Sequence, residues 1–148
     1  MAERANDWNQ NIIDEFRAND GTVSTGGFGR ALVLLHHVGA KSGSQRVTPV
    51  MGLRQDRDSW LVAASKAGAP DNPAWFHNLQ AHPDVSIEVP GEGMVPVRAR
   101  VLDGAERDSG WAQFTAASPG FKEYETRTTR VIPVVALHRR EVRAAGAP

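Results

Sequence analysis

Apolar residues recur at Trp8, Ile12 and Phe16, the spacing of one helix face. Asn6 or Asp7 can cap the start of that helix, and Asn19-Asp20-Gly21 reads as its stop. After the flexible connection Thr25-Gly26-Gly27-Phe28-Gly29 the pattern turns β-like over Ala31 to Val38, then breaks at the polar turn Gly39-Ala40-Lys41-Ser42-Gly43-Ser44. A second strand is predicted from Gln45 to Leu53, with Pro49 marking an edge or a bulge. Asp56-Arg57-Asp58 turns the chain into a third strand, Trp60 to Ala64.

Asn72-Pro73 opens a second helix, Asn as its cap and Pro at its first position, with Trp75, Phe76 and Leu79 as the apolar side and Pro83 as its end. Val85 to Val89 and Val95 to Val101 flank Pro90-Gly91-Glu92-Gly93, a hairpin signal. A third helix is expected over about Glu106 to Ala116, then a short helical turn from Ser118-Pro119-Gly120 through Tyr124, and a last strand over Val131 to Leu137. Hairpin-linked strands imply antiparallel pairing rather than a doubly wound sheet. The expected fold is α+β, mainly β with flanking helices: a small closed or half-open barrel of six strands.

Length and composition narrow this further. A chain of 148 residues fits one domain, read as a single unit over 1–148 with its helix in 1–20 and a flexible tail in 139–148. The absence of cysteine removes disulfide scaffolds, Cys-zinc sites, iron–sulfur clusters and thiol nucleophiles. The longest apolar run, Ala31 to Leu35, is too short to span a bilayer, and the first residues lack the plan of a secretory signal. The expectation is a cytoplasmic protein, with peripheral contact at the inner membrane face left open, working as a monomer or a homodimer.

Charge is balanced overall but not along the chain. Residues 21–70 carry six bases, Arg30, Lys41, Arg46, Arg54, Arg57 and Lys66, against Asp56 and Asp58. The middle third is therefore the place for an anionic small ligand, whereas a neutral chain is a poor binder of nucleic acid. Lys41 and Ser42 lie on a turn with Arg46 at the start of the next strand; Ser65 and Lys66 lie at a strand end just before a helix N-terminus. Helix N-termini favour phosphate or carboxylate, Arg grips anions with a planar fork, and Lys acts as a point charge. From spacing alone, two solvated turns and a capped helix are the better account of these residues.

Other chemistry recedes. Thr25-Gly26-Gly27-Phe28-Gly29 follows a helix and precedes a strand, the reverse of a dinucleotide fingerprint. Gly39-Ala40-Lys41-Ser42-Gly43 leads into a strand, where a P-loop needs a helix. His36 and His37 face opposite sides of a strand, and His77 and His82 lack metal spacing, so each histidine reads as structural or surface and no metal is expected. No Gly-x-Ser-x-Gly elbow exists.

The segments Gly39–Pro49, Ala64–Pro70 and Asn72-Pro73-Ala74-Trp75-Phe76-His77-Asn78-Leu79 together resemble the deazaflavin (F420)-dependent nitroreductase family of actinobacteria, with its quinone-reductase-like members. Val97-Arg98-Ala99-Arg100-Val101, Pro119–Tyr124 and Thr128–Val135 continue the likeness in the same order, from about residue 6 to residue 138. The resemblance implies an FMN-binding split-barrel-like fold and coenzyme F420, a deazaflavin whose tail carries a phosphate and glutamates. It implies that Lys41, Ser42 and Arg46 hold the phosphate and tail, with Lys66 nearby. Thr48, Pro49 and Met51 would offer backbone along the ring system, and Ser65, Ala74 and Trp75 would line its other contacts.

The implied activity is hydride transfer from deazaflavin C5 to a small-molecule acceptor: a quinone, an enone or a nitro-compound. Tyr124 and Ser65 are then the candidates for a hydroxyl donor, with Phe121 beside Tyr124 on the substrate side. A plain packing role for Tyr124 stands beside that reading. A non-catalytic carrier of the same coenzyme, and a barrel using FMN or heme, are the competing functions. His36-His37-Val38 stands where relatives often carry small hydroxyl residues, and Phe121 and Arg127 where some place tyrosines. Those differences bear on nitro-drug activation more than on coenzyme binding.

Overall fold

The computed structural model describes residues 2–65, 68 and 71–141, with backbone only for residues 2–7. Helix α1 (Ala2–Ala18) is followed by a short 3-10 turn and then by strands β1 (Leu32–Val38), β2 (Gln45–Met51), β3 (Leu53–Asp56) and β4 (Ser59–Ala63). Helix α2 (Ala74–Ala81) leads to the hairpin β5 (Asp84–Val89) and β6 (Gly93–Val101). Helices α3 (Gly104–Ala117) and α4 (Pro119–Arg127) precede β7 (Val134–Arg139). All strands join one antiparallel sheet in the order β2-β1-β5-β6-β7-β4-β3.

The sheet has seven strands where the hydrophobic pattern predicts six. The expected strand from Gln45 to Leu53 is divided at Gly52 into β2 and β3, which occupy opposite edges of the sheet. One continuous stretch of chain thus runs along one edge, turns, and begins the other, which curls the sheet into a split barrel. Apolar alternation continues through this bend, so the break leaves no mark in the pattern. Gly52 sits against β1: its amide donates to the Ala31 carbonyl at 2.9 Å, and a Cβ built on it would lie 3.1 and 3.2 Å from the two γ-carbons of Val33. Pro49 falls on an edge strand, opposite Leu34, where its missing N–H costs no ladder bond.

Three apolar clusters hold the elements. Val33, Leu35, Trp60, Val62, Ile87, Val97, Val135 and Leu137 fill the barrel, and Trp75, Phe76 and Leu79 of α2 pack into the same cluster. Outside it, Ile12, Ile13 and Phe16 of α1 cover Leu32 and Leu34, with Val47 and Met51 at the margin. On the other flank, Trp111 and Phe114 of α3 cover Leu61 and Val134. The first half of β1 is buried on both faces because α1 lies outside it and the barrel inside. Trp8, expected on the apolar face of α1, is 49% exposed: Ile12, Ile13 and Phe16 already fill the patch offered by β1 and β2.

Two ionic clasps fix α1. Glu15 accepts from the amides and hydroxyls of Ser24 and Thr25, at 2.5 Å for the Ser24 hydroxyl, which lowers its pKa to about 2. Arg17 grips Glu88 of β5 through two nitrogens, at 3.2 and 2.7 Å, and His36 reaches the same carboxylate at 2.6 Å. The last strand starts later than expected. Val131 is 71% exposed and Ile132 is buried in irregular backbone whose carbonyl receives Arg107, so pairing begins at Val134 and runs through Arg139. The expected tail 139–148 therefore begins inside β7, and residues 142–148 lie outside the described ones.

The bend at Gly52 generates a test. Gly52→Val drives branched carbons into Val33 and should lower the unfolding free energy by about 1–3 kcal/mol, the usual range for overpacking. Urea denaturation measures it, and Gly52→Ala should fall between the variant and the parent.

Candidate functional site

The turn between β1 and β2 closes on itself. The Gly39 amide donates to the Ser44 carbonyl and the Gly43 amide to the Gly39 carbonyl, each at 2.9 Å. Within it the Ser42 and Ser44 hydroxyls lie 2.8 Å apart, and the Ser42 oxygen also accepts from the Ser44 amide at 3.2 Å. Ser42 is thus engaged in shaping the turn, and Lys41 is exposed beside it.

Beside β2 opens a cleft of about 370 Å³. Its strand wall is Arg46, Val47 and Thr48 with His37 of β1 behind them, and its far wall is Ala74 and Trp75 at the start of α2. Asn9, Gln10 and Ile13 of α1 complete it. Four expected site residues therefore meet around one cavity: Arg46, Thr48, Ala74 and Trp75. Among the described residues Arg46 forms no ion pair, unlike Arg17, Arg54, Arg100 and Arg139, which each hold a carboxylate.

The start of α2 departs from expectation in a useful way. Pro73, in extended backbone, takes the cap position and no side chain caps the helix. Asn72, expected as the cap, instead accepts a hydrogen bond from Arg130 Nη1 at 2.8 Å. The first amides of α2 are left without a side-chain acceptor on the rim that Ala74 and Trp75 form, a place that favours negative charge.

Behind the strand wall runs a buried polar chain. The Ala40 amide donates to Asn78 Oδ1 at 2.9 Å, Asn78 Nδ2 lies 2.9 Å from His37 Nδ1, and His37 Nε2 lies 2.9 Å from Thr48 Oγ1. His37 and Asn78 are 4% and 6% exposed, the buried polar side chains of the core. Burial is the main cause that drives the His37 pKa down to about 4, and the positive charge of Arg46 and then His36 push the same way. The imidazole is neutral at physiological pH.

The remaining expected residues are placed elsewhere. Pro49 and Met51 continue β2 beyond the cleft, Met51 wedged between the two outer clusters. Lys41 and Ser42 stay on the turn, outside the cleft walls. Lys66 lies outside the described residues. The Ser65 carbonyl receives Arg130 Nη2 at 2.7 Å and the Gly68 amide at 2.9 Å, while Arg130 Nη1 also reaches the Ala64 carbonyl at 3.0 Å. Gly68 (φ +79°) presses onto α4 so closely that a Cβ would fall 2.8 Å from the Tyr124 carbonyl oxygen. Gly68 thereby sits against α4, while Arg130, just beyond that helix, holds the end of β4. On α4, Tyr124 stacks edge-on with Phe121 at 5.6 Å, and the Arg127 guanidinium lies 5.9 Å from its ring. Neither ring lines the 370 Å³ cleft. Asn9, Gln10 and Ile13 were missed by sequence reasoning, because nothing local shows which strand a helix will cross.

Comparison with known proteins is direct on family. The model of the F420H(2)-dependent quinone reductase family matches residues 8–139. The chain belongs to the F420H(2)-dependent quinone reductase family. An F420H(2)-dependent quinone reductase of Mycobacterium tuberculosis is 40% identical over 111 residues, 73% of each chain. Among solved structures, an F420-H2 dependent reductase shares 38% identity with a TM-score of 0.66, over 74% of this chain and 95% of its own. A second, described as a domain-swapped dimer, shares 32% identity with a TM-score of 0.68, over 90% and 99%. Within this F420H(2)-dependent quinone reductase family member, no helix of the described residues is long and apolar enough to cross a membrane.

Protonating His37 should be visible in stability. Its folded pKa, about 4, lies below its ordinary 6.5, so the unfolded chain takes the proton first. Stability is complete above pH 6.5 and falls as pH drops towards 4, by on the order of 2 kcal/mol. Glu15 and Glu88, whose pKa values are lowered by hydrogen bonds, lose stability only at more acid pH. Denaturation midpoints between pH 7 and 4.5 should therefore slope downward in the parent and be nearly flat in His37→Gln.

Proposed function

We propose that this protein is an oxidoreductase that passes a hydride from reduced coenzyme F420 to a quinone, a conjugated enone or a nitro-type acceptor. The carrying observation is the cleft where Arg46, Thr48, Ala74 and Trp75 converge beneath an uncapped helix start, in a chain of this family. The donor set suits the coenzyme: an unpaired guanidinium and helix amides for phosphate and carboxylate, a nearly buried Trp75 for a flat ring, and Ile13 and Val47 to keep the wall apolar.

When bound, reduced F420 supplies a hydride from C5. The chain's part is to orient and to exclude water. Arg46 and the first turn of α2 would hold the anionic part, with Lys66 as a further cation and Lys41 and Ser42 adding charge and polarity at the turn. Trp75 would offer the ring a flat apolar face, with Pro49 and Met51 as the continuation of β2 on that side. On the acceptor side, Tyr124 or Ser65 donates a hydrogen bond to the oxygen that becomes negative as hydride arrives, with Phe121 as an apolar neighbour. A quinone then takes up a proton to become the hydroquinone. We further propose that the protein acts in the cytoplasm; a homodimer is supported by the relative that forms a domain-swapped dimer.

The test is anaerobic mixing with reduced F420 and menadione, followed at the coenzyme absorbance. Coenzyme oxidation coupled to quinone reduction is expected; tight binding without oxidation would make the protein a carrier instead, and preference for FMN or heme would overturn the assignment. Arg46→Ala should weaken F420 binding by about 10- to 100-fold, since a charge-assisted hydrogen bond contributes roughly 1.5–3 kcal/mol. Lys41→Ala, outside the cleft, should cost clearly less. Fluorescence titration reads both.

A further inference from the structure

The buried chain from Ala40 to Thr48 has only one direction in which its protons can run. A backbone amide can only donate, so the Asn78 atom facing Ala40 is the carbonyl oxygen, and the atom facing His37 Nδ1 is the NH2. The NH2 donates, so Nδ1 of the neutral imidazole accepts and its proton resides on Nε2. Nε2 then donates to Thr48 Oγ1. With one lone pair taken from behind, the Thr48 hydroxyl keeps its own proton for the cleft that it lines.

We propose that His37 and Asn78 are positioning residues that, by donating into Thr48 Oγ1 from behind, turn the Thr48 hydroxyl proton towards an acceptor oxygen of the bound ligand, a phosphate, carboxylate or ring carbonyl. The proposal rests on the coenzyme reading above. The direction of the chain is set by a main-chain amide in the β1–β2 turn, so it cannot reverse without leaving that amide or a buried imidazole nitrogen unsatisfied. An ordinary threonine hydroxyl serves donors and acceptors alike. This one already accepts from His37, which biases the hydroxyl towards donating into the cleft. Arg46 beside it repels cations and adds to the burial that keeps the imidazole neutral, so both wall residues favour the same kind of ligand atom.

Two measurements test this. Long-range 1H–15N spectra of the full chain at pH 7 should show His37 with a protonated Nε2 and an unprotonated, hydrogen-bonded Nδ1; the opposite tautomer, or an imidazolium, overturns the relay. Equilibrium titration with oxidised F420 should show Thr48→Val binding about tenfold more weakly and Thr48→Ser within about threefold of the parent, the size of one neutral donor. Equal binding by Thr48→Val, or equal loss in both, overturns the donor role. Asn78→Leu removes the donor to Nδ1 and should weaken the Nε2–H preference in the same spectra and lower F420 affinity towards that of Thr48→Val, with little further loss on combining the two; an unchanged tautomer and affinity overturn the relay. If Asn78→Leu does not fold, the parent spectrum and the Thr48 pair decide. Failure of the parent to bind F420 at all would sink the coenzyme reading while the His37 spectrum still judged the relay.

Discussion

One polar thread inside an apolar barrel end organises this molecule. Asn78 of α2 takes the turn amide of Ala40 with one end and His37 of β1 with the other, and His37 in turn holds Thr48 of β2. The β1–β2 hairpin and the distant helix α2 are locked together by three hydrogen bonds of 2.9 Å in a place where an unmade bond is costly. Apolar packing of Trp75, Phe76 and Leu79 would let α2 sit in several orientations over the barrel. The thread selects the one that aims its uncapped start at Arg46. Charge, shape and helix dipole converge because a neutral histidine is buried at the right depth.

A second organiser works on the opposite side. Arg130 gathers the Ala64 and Ser65 carbonyls and the Asn72 side chain, and Gly68 lets the same loop settle on α4. Ala64, Ser65, Gly68 and Asn72 are thereby held against the segment that carries Tyr124 and Arg130. Burial pushes the Arg130 guanidinium down while the charge of Asp71 works against that, the balance of a cation used as a structural hub.

Much of this was legible from the residues because it is local. Helix faces, the hairpin at Pro90-Gly91-Glu92, the edge position of Pro49 and the opposed faces of His36 and His37 all follow from short-range periodicity and turn chemistry. Arg46, Thr48, Ala74 and Trp75 were reachable through the family resemblance, and the cleft unites them. What escaped was non-local. The division at Gly52 depends on Val33 of another strand, the fate of Asn72 on Arg130 far along the chain, and the exposure of Trp8 on which residues already cover β1. His37 read as a structural histidine, and it is one; that its ring also polarises a cleft hydroxyl requires knowing where Asn78 lands.

The sheet order carries a temporal consequence. β7 is the last strand along the chain, yet it lies between β6 and β4, pairing with both. During synthesis, everything up to α4 can emerge while the two flanking strands still display open ladders, so the nascent protein passes through an adhesive stage that ends only when residues 134–139 leave the ribosome. A chain cut before Val134 would leave the facing edges of β6 and β4 without the strand that joins them.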